Sequence, residues 1–246
     1  MNLDNRRTIR NYTQEPISDA LLNTLLEKAF RASNTGNMQT YSVVVTRNAE
    51  KKQQLAPAHF GQKMVSDAPV VLTFCADYNR FTAWCKQRNA EPGYENLQSF
   101  VGAMIDATIV AQTFAVAAEE AGLGICYLGT TTYNADKIID VLELPRLVVP
   151  VVTLTVGFPA DMPEQTDRLP ISGMIHNETY RPISTTEIDA LYAEKEALPE
   201  MKQYTAENNK ETLAQVFTDV RYTKANNEHF SNVFMNVLKS QGFMHE

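Results

Sequence analysis

The stretch "ENLQSFVGAMIDATIVAQTFAVAAEEAGLGICYLGT", Glu95 to Thr130, decides the fold. From Glu95 to Glu120 it has no proline and is apolar or small almost throughout. It closes at "EEAGLG", where Gly122 can take the left-handed conformation that ends a helix. The pattern predicts one long helix. Ala103, Ala107, Ala111, Ala115 and, beside that row, Ala118 form a stripe at four-residue spacing, and small side chains let another backbone approach closely. Such a helix serves as the central rod of a core, as a subunit interface, or as both. "GICYLGT" then reads as a strand.

Outward from this segment the chain alternates helix and strand. "ISDALLNTLLEKAFRAS" places Leu21, Leu22, Leu25, Leu26 and Ala29 at helical spacing behind Ser18 or Asp19 as a cap. "YSVVVTR" from Tyr41 and "PVVLTFCAD" from Pro69 are β-branched runs expected to lie as buried strands in one central sheet. "NADKIIDVLEL" reads as a short helix, and "LVVPVVTLTVGF" is too β-branched and proline-interrupted to be one. Prolines and polar residues from "GFPADMPEQTDRLP" to Pro182 imply an extended excursion. Helix returns at "TTEIDALYAEKEA" and "NNEHFSNVFMNVLKSQGF". The expected division is 1–182 as a main domain and 183–246 as a helical extension, part of the same fold or an arm.

Composition narrows the function. The 246 residues, 44% of them hydrophobic, are enough to bury a substantial core, and a net charge of −7 argues against general nucleic-acid binding, which needs a basic surface. No run is expected to be long enough to cross a bilayer, and the start lacks a hydrophobic signal core, so the expected location is cytoplasmic. Cys75, Cys85 and Cys126 are scattered among apolar residues and read as reduced, buried thiols. His59, His176, His229 and His245 show no metal-ligand spacing. Nucleophile elbow, P-loop and G-x-G-x-x-G patterns are absent, so any chemistry is expected to belong to a bound cofactor.

Three short constellations stand out. In "NRRTIR", Arg6, Arg7 and Arg10 flank Thr8, a set suited to a phosphate monoester because guanidinium forks satisfy its oxygens in pairs and the hydroxyl adds a neutral donor. If helical, the four residues span about one and a half turns. The same residues also fit a solvated basic face pairing with acidic side chains. "RASNTGNMQTYS" puts Asn34, Asn37 and Gln39 between a helix and a strand, where amides can donate to and accept from a flat heterocycle; a turn and cap cluster would look alike. "TDRLP" holds Arg168 in a proline-bounded loop, either as a second cation for an anion site or as a surface arginine.

The order of these segments carries more than any one of them. "RRTIRNY", "RASNTGNMQTYS", "GQKMVSDAPVVLTFCAD", "AAEEAGLGICYLG", "ELPRLVVPVVTLTVGFP" and "DRLPISGMIHNETY" together resemble the FMN-dependent nitroreductase family. The resemblance is to its NADPH-preferring nitroreductases and flavin reductases with a C-terminal extension. It runs from Arg6 to Tyr180, with a weaker echo in "LKSQGF". It implies an α+β sandwich: a mixed central sheet flanked by helices around a long central helix, built as an intertwined homodimer with FMN at the subunit interface.

By the same resemblance, Arg6, Arg7, Thr8 and Arg10 hold the FMN phosphate and ribityl chain, with Arg168 joining them. Asn34, Thr35, Asn37 and Gln39 lie beside the flavin, Gln62 lies near its edge, and Tyr127, Leu128, Gly129 and Thr130 form the strand end over the ring. The implied reaction is ping-pong transfer from NADPH or NADH to nitroaromatics, quinones or free flavin. A flavin-storage module, or other flavin chemistry on the same scaffold, is the alternative. One departure stands out: Thr166 and Asp167 precede Arg168 where relatives carry a lysine two positions before the arginine.

Overall fold

The computed structural model of the chain describes residues 3–244 and has a four-stranded sheet of β1 (Tyr41–Thr46), β2 (Val70–Asp77), β3 (Gly124–Leu128) and β4 (Val148–Gly157) in the order β1-β2-β4-β3. Around it, in chain order, lie α1 (Asp19–Ala29), α2 (Ala49–Leu55), α3 (Lys63–Asp67), α4 (Asn79–Gln87), α5 (Leu97–Glu120) and α6 (Ala135–Leu142). They are followed by α7 (Thr185–Ala197), α8 (Pro199–Glu207), α9 (Leu213–Val216) and α10 (Lys224–Ser240). The architecture is α+β.

The expected mixed sheet is corrected by the register: each neighbouring pair is antiparallel. The physical reason is the strand order. β2 and β3 run the same way, as do β1 and β4, but β4 separates the first two and β2 separates the second. No ladder between described residues of this one chain is therefore parallel. β2 is buried at every position, as its unbroken apolar run requires. Pro150 is accommodated in β4 because the ladder to β2 shifts register beside it, between Phe74 and Cys75.

The long helix is α5. Asn96 caps it by accepting from the Ser99 amide at 2.9 Å, and Gly122, at φ +81°, turns the chain out as the Leu123 amide returns to the Ala118 carbonyl at 2.9 Å. All five alanines of the stripe are fully buried against this chain's own core, which contains α1 and the sheet. Of the roles the stripe suited, the structure assigns it the core rod. The opposite face of α5 carries Ile105 and Ile109, 49% and 39% exposed. The expectation that no run could cross a membrane needs correcting: α5 is long and apolar enough by length and composition, with half of its most apolar window buried inside the fold.

The chain forms two compact units, one from residues up to Glu164 together with those from Phe230 onward, the other from Gln165 to His229. The break therefore falls earlier than the expected 182/183, and the chain end returns to the first unit. It returns because its apolar residues are core residues: Val237, Leu238 and Phe243 are buried, and Phe100 meets the rings of Phe234 and Phe243 at 5.8 and 5.5 Å. In the Gln165–His229 unit, α7 and α8 bury no residue; Ser184 with Glu187 closes a capping box on α7, and Pro199 starts α8 without a side-chain cap.

Candidate functional site

The N-terminal arginines are not on a helix. Residues 6–10 are extended along the free edge of β3, with the Ile9 amide donating to the Ile125 carbonyl at 3.0 Å. Farther on, Tyr12 bridges Pro159, and its phenol donates to the Ile9 carbonyl at 2.7 Å. Two glycines paired across β3 and β4, Gly124 and Gly157, make room for this arm. A Cβ on Gly124 would stand 2.5 Å from Ile9 Cβ, and one on Gly157 would stand 2.7 Å from Pro69 Cδ and from the Tyr12 ring.

The charges converge on the middle of β3. Burial pushes the Cys126 thiol up, and the charges of Arg10 and Arg6 pull it back. Burial likewise lifts the Tyr127 phenol to about 12 against the pull of Arg6. Arg6 Nε lies 3.5 Å from Glu119 Oε1, whose carboxyl burial raises and Arg6 lowers. Arg6, Arg7, Glu119, Gly122, Gly124 and Met162 are among the walls of a cleft of about 380 Å³. Arg7 Nε and Glu119 Oε2 are buried with no protein hydrogen bond. A buried guanidinium donor without an acceptor, inside a cluster of cations, fits an anionic phosphate.

A second group of expected residues meets at the end of β3. Leu128 ends the strand, and Gly129 and Thr130 follow in a turn that Thr131 closes by donating from Oγ1 to the Leu128 carbonyl at 2.9 Å. His59 Nδ1 and Thr130 Oγ1 are 2.8 Å apart, and Asn134 Nδ2 donates to the Ala58 carbonyl at 2.9 Å. These bonds seat the Gln62 loop against the strand end. His59 is the residue that sequence reasoning missed here, having weighed histidines only as metal ligands. Among the described residues no metal-binding cluster of His, Cys, Asp or Glu occurs, and His245 lies outside them.

Burial pushes the His59 imidazole down to about 4, below its ordinary value. Between the two values the unfolded chain holds a proton that the folded chain refuses. Stability is therefore full above about pH 6.5 and is lost as pH falls toward 4, by at most about 1.4 kcal/mol per pH unit. Denaturant midpoints for the wild type and His59→Gln, measured from pH 7 to 4.5, should differ by a margin that narrows with acid. A constant difference would refute a neutral buried His59.

The third group, Asn34 to Gln39, forms a tight loop ahead of β1. Gly36, Asn37 and Gln39 all have φ between +54° and +57°, and Asn34 Oδ1 accepts from the Gln39 amide at 3.1 Å. Arg80 donates to the Gln39 carbonyl. Asp106, 1% exposed in the middle of α5, accepts from the Thr35 amide at 3.0 and 3.1 Å, from Thr35 Oγ1 at 3.1 Å and from Thr40 Oγ1 at 3.2 Å. Asp106 was also missed, although an isolated charge in an apolar helix was the available signal. This loop lies at the same end of the sheet as Thr130 but on the other edge, with β2 and β4 between them.

Arg168 lies in the Gln165–His229 unit, where its Nη1 donates to Thr166 Oγ1 and to the Asp167 carbonyl, both at 2.7 Å. Asp167 in turn is paired with Lys195 Nζ at 2.9 Å. The lysine of α7 therefore neutralises the carboxylate that precedes Arg168.

Comparison with known proteins follows the same outline. The Nitroreductase family model matches residues 3–158. An FMN reductase (NADPH) of Bacillus subtilis is 34% identical over 178 residues, 72% of each chain. An oxygen-insensitive NADPH nitroreductase of Salmonella typhimurium is 33% identical over 177 residues, again 72% of each. The crystal structure of a candidate oxidoreductase from Bacteroides fragilis superposes with a TM-score of 0.98 at 62% identity, over 99% of both chains.

Proposed function

Since the chain belongs to the nitroreductase family, we propose that it is an FMN-dependent oxidoreductase that carries reducing equivalents from NADPH or NADH to nitroaromatics, quinones or free flavin, working as a cytoplasmic homodimer. The observation that carries the reading is the arginine arm on β3, with the buried and unpartnered Nε of Arg7 inside it. FMN, when bound, would supply the redox chemistry between nicotinamide and acceptor.

The chain's own part is binding and orientation. Arg6, Arg7, Thr8 and Arg10 hold the phosphate. Tyr127, Leu128, Gly129 and Thr130 cover one face of the ring, Gly129 having open space where a Cβ would be. Asn34, Thr35, Asn37, Gln39 and Gln62 stand at the ring edge, where the side-chain amides of Asn34, Asn37, Gln39 and Gln62 offer the kind of fixed dipoles that stabilise negative charge on a reduced ring. Reductant and acceptor occupy the same pocket in turn, which is the ping-pong order.

The homodimer reading rests on two features. The Asn34–Gln39 loop and the Tyr127–Thr130 strand end sit on opposite sheet edges, so a second copy is what brings one chain's loop to the other's strand end. The exposed Ile105 and Ile109 on α5 provide an apolar face for that copy.

Purification tests the proposal directly. The protein should elute at twice the 27.6 kDa chain mass, yellow, with about one FMN per chain, and anaerobic NADPH or NADH should bleach it. A colourless protein that FMN cannot reconstitute overturns the reading, and flavin that neither nucleotide bleaches replaces it with storage.

A further inference from the structure

Asp106 is the one charged side chain between Leu97 and Ala118, and it is buried in the middle of the longest helix. A buried carboxylate is tolerated only when its oxygens are hydrogen-bonded. Its donors here are the Thr35 amide, Thr35 Oγ1 and Thr40 Oγ1, at 3.0 to 3.2 Å. All three flank the same short loop. Between them lie Asn37 and Gln39, two non-glycine residues at φ +54°, a backbone that persists only when its surroundings over-determine it. Arg80 on the Gln39 carbonyl and Asn34 Oδ1 on the Gln39 amide complete the clamp.

We propose that Asp106 is the positioning residue of the flavin loop: from inside α5 it holds Thr35 and Thr40 so that Asn37 and Gln39, between them, keep the left-handed form that faces the ring edge. The inference rests on the FMN reading of that loop. It assigns Asp106 no contact with cofactor or substrate, and its effect runs through geometry. Asp106→Asn should therefore be nearly silent. The amide oxygen still accepts from Thr35, and the amide nitrogen donates to Thr40 Oγ1, a hydroxyl that accepts as well as it donates. Asp106→Leu, similar in size, removes every acceptor that Asp106 offers to Thr35 and Thr40.

Two readouts decide it. In flavin-free protein, amide exchange at Gly36 to Thr40 should speed up at least about tenfold in Asp106→Leu while β2 amides stay protected, and Asp106→Asn should match wild type. In FMN titrations, Asp106→Leu should bind at least about tenfold more weakly and Asp106→Asn within about threefold of wild type. A folded Asp106→Leu with wild-type loop exchange and affinity overturns the proposal, as does an Asp106→Asn as impaired as Asp106→Leu. If Asp106→Leu does not fold, Thr40→Val removes one donor from the loop side. It should speed exchange at Gln39 about threefold or more, and no change there overturns the inference. Wild-type protein that binds no FMN would instead defeat the functional reading, while the flavin-free exchange measurement still judges Asp106 alone.

Discussion

Gly124→Val is expected to destabilise the protein by about 1–3 kcal/mol and to strip the arginine arm from the sheet. The new Cβ would stand 2.5 Å from Ile9 Cβ and 2.6 Å from Cγ1, distances that side chains do not tolerate. Ile9 cannot step aside cheaply, because it is buried and its amide is bonded to Ile125. Valine's two methyl groups extend the overlap, so the arm must leave β3 and take Arg6, Thr8 and Arg10 with it. Denaturant midpoint and FMN affinity should fall together. Gly93→Ala is the control: a Cβ there meets nothing within 4 Å, and both quantities should stay unchanged. A Gly124→Val protein with wild-type stability and flavin content would show that the arm is not seated as described.

Arg10→Ala is expected to weaken FMN binding by roughly ten- to a hundredfold, the loss of one charge-assisted hydrogen bond worth about 1.5–3 kcal/mol. Arg10 is exposed, so the fold should survive the change. Riboflavin sharpens the measurement, because it lacks the phosphate. If Arg10 reads the phosphate, the substitution should lower FMN affinity and leave riboflavin affinity alone, and it should flatten the salt dependence of FMN binding. Equal losses for both ligands would assign Arg10 to the ring or to the fold.

Much of this was legible because it is encoded locally. The apolar, proline-free run from Glu95 to Glu120 became α5, and the β-branched runs at Tyr41, Val70 and Val148 became neighbouring strands. Ser18 caps α1 as its position suggested. What stayed hidden depended on partners distant in sequence. Three arginines and a threonine in five residues fit a helix or an extended arm equally well. The bare edge of β3 and the missing side chain at Gly124 favour the arm. His59 carried no sequence signal for its place against Thr130, which comes from another element. The pairing of Asp167 with Lys195 of α7, 28 residues on, likewise carried no local signal.

By itself, the sequence determined the four strands, the helices α1, α5, α6, α7 and α10 and their order, and the cluster of cations and amides that a phosphate and a flat ring would need, because periodicity, caps and functional groups belong to single short stretches. The helices α2, α3, α4, α8 and α9 are too short or too weakly patterned to read that way. Only the tertiary structure decided that the alanine stripe of α5 faces inward while Ile105 and Ile109 face out, that the sheet of one chain is antiparallel, and that Asp106 anchors the loop ahead of β1. Each of those depends on which surface packs against which, and burial energy summed over many distant contacts settles that choice.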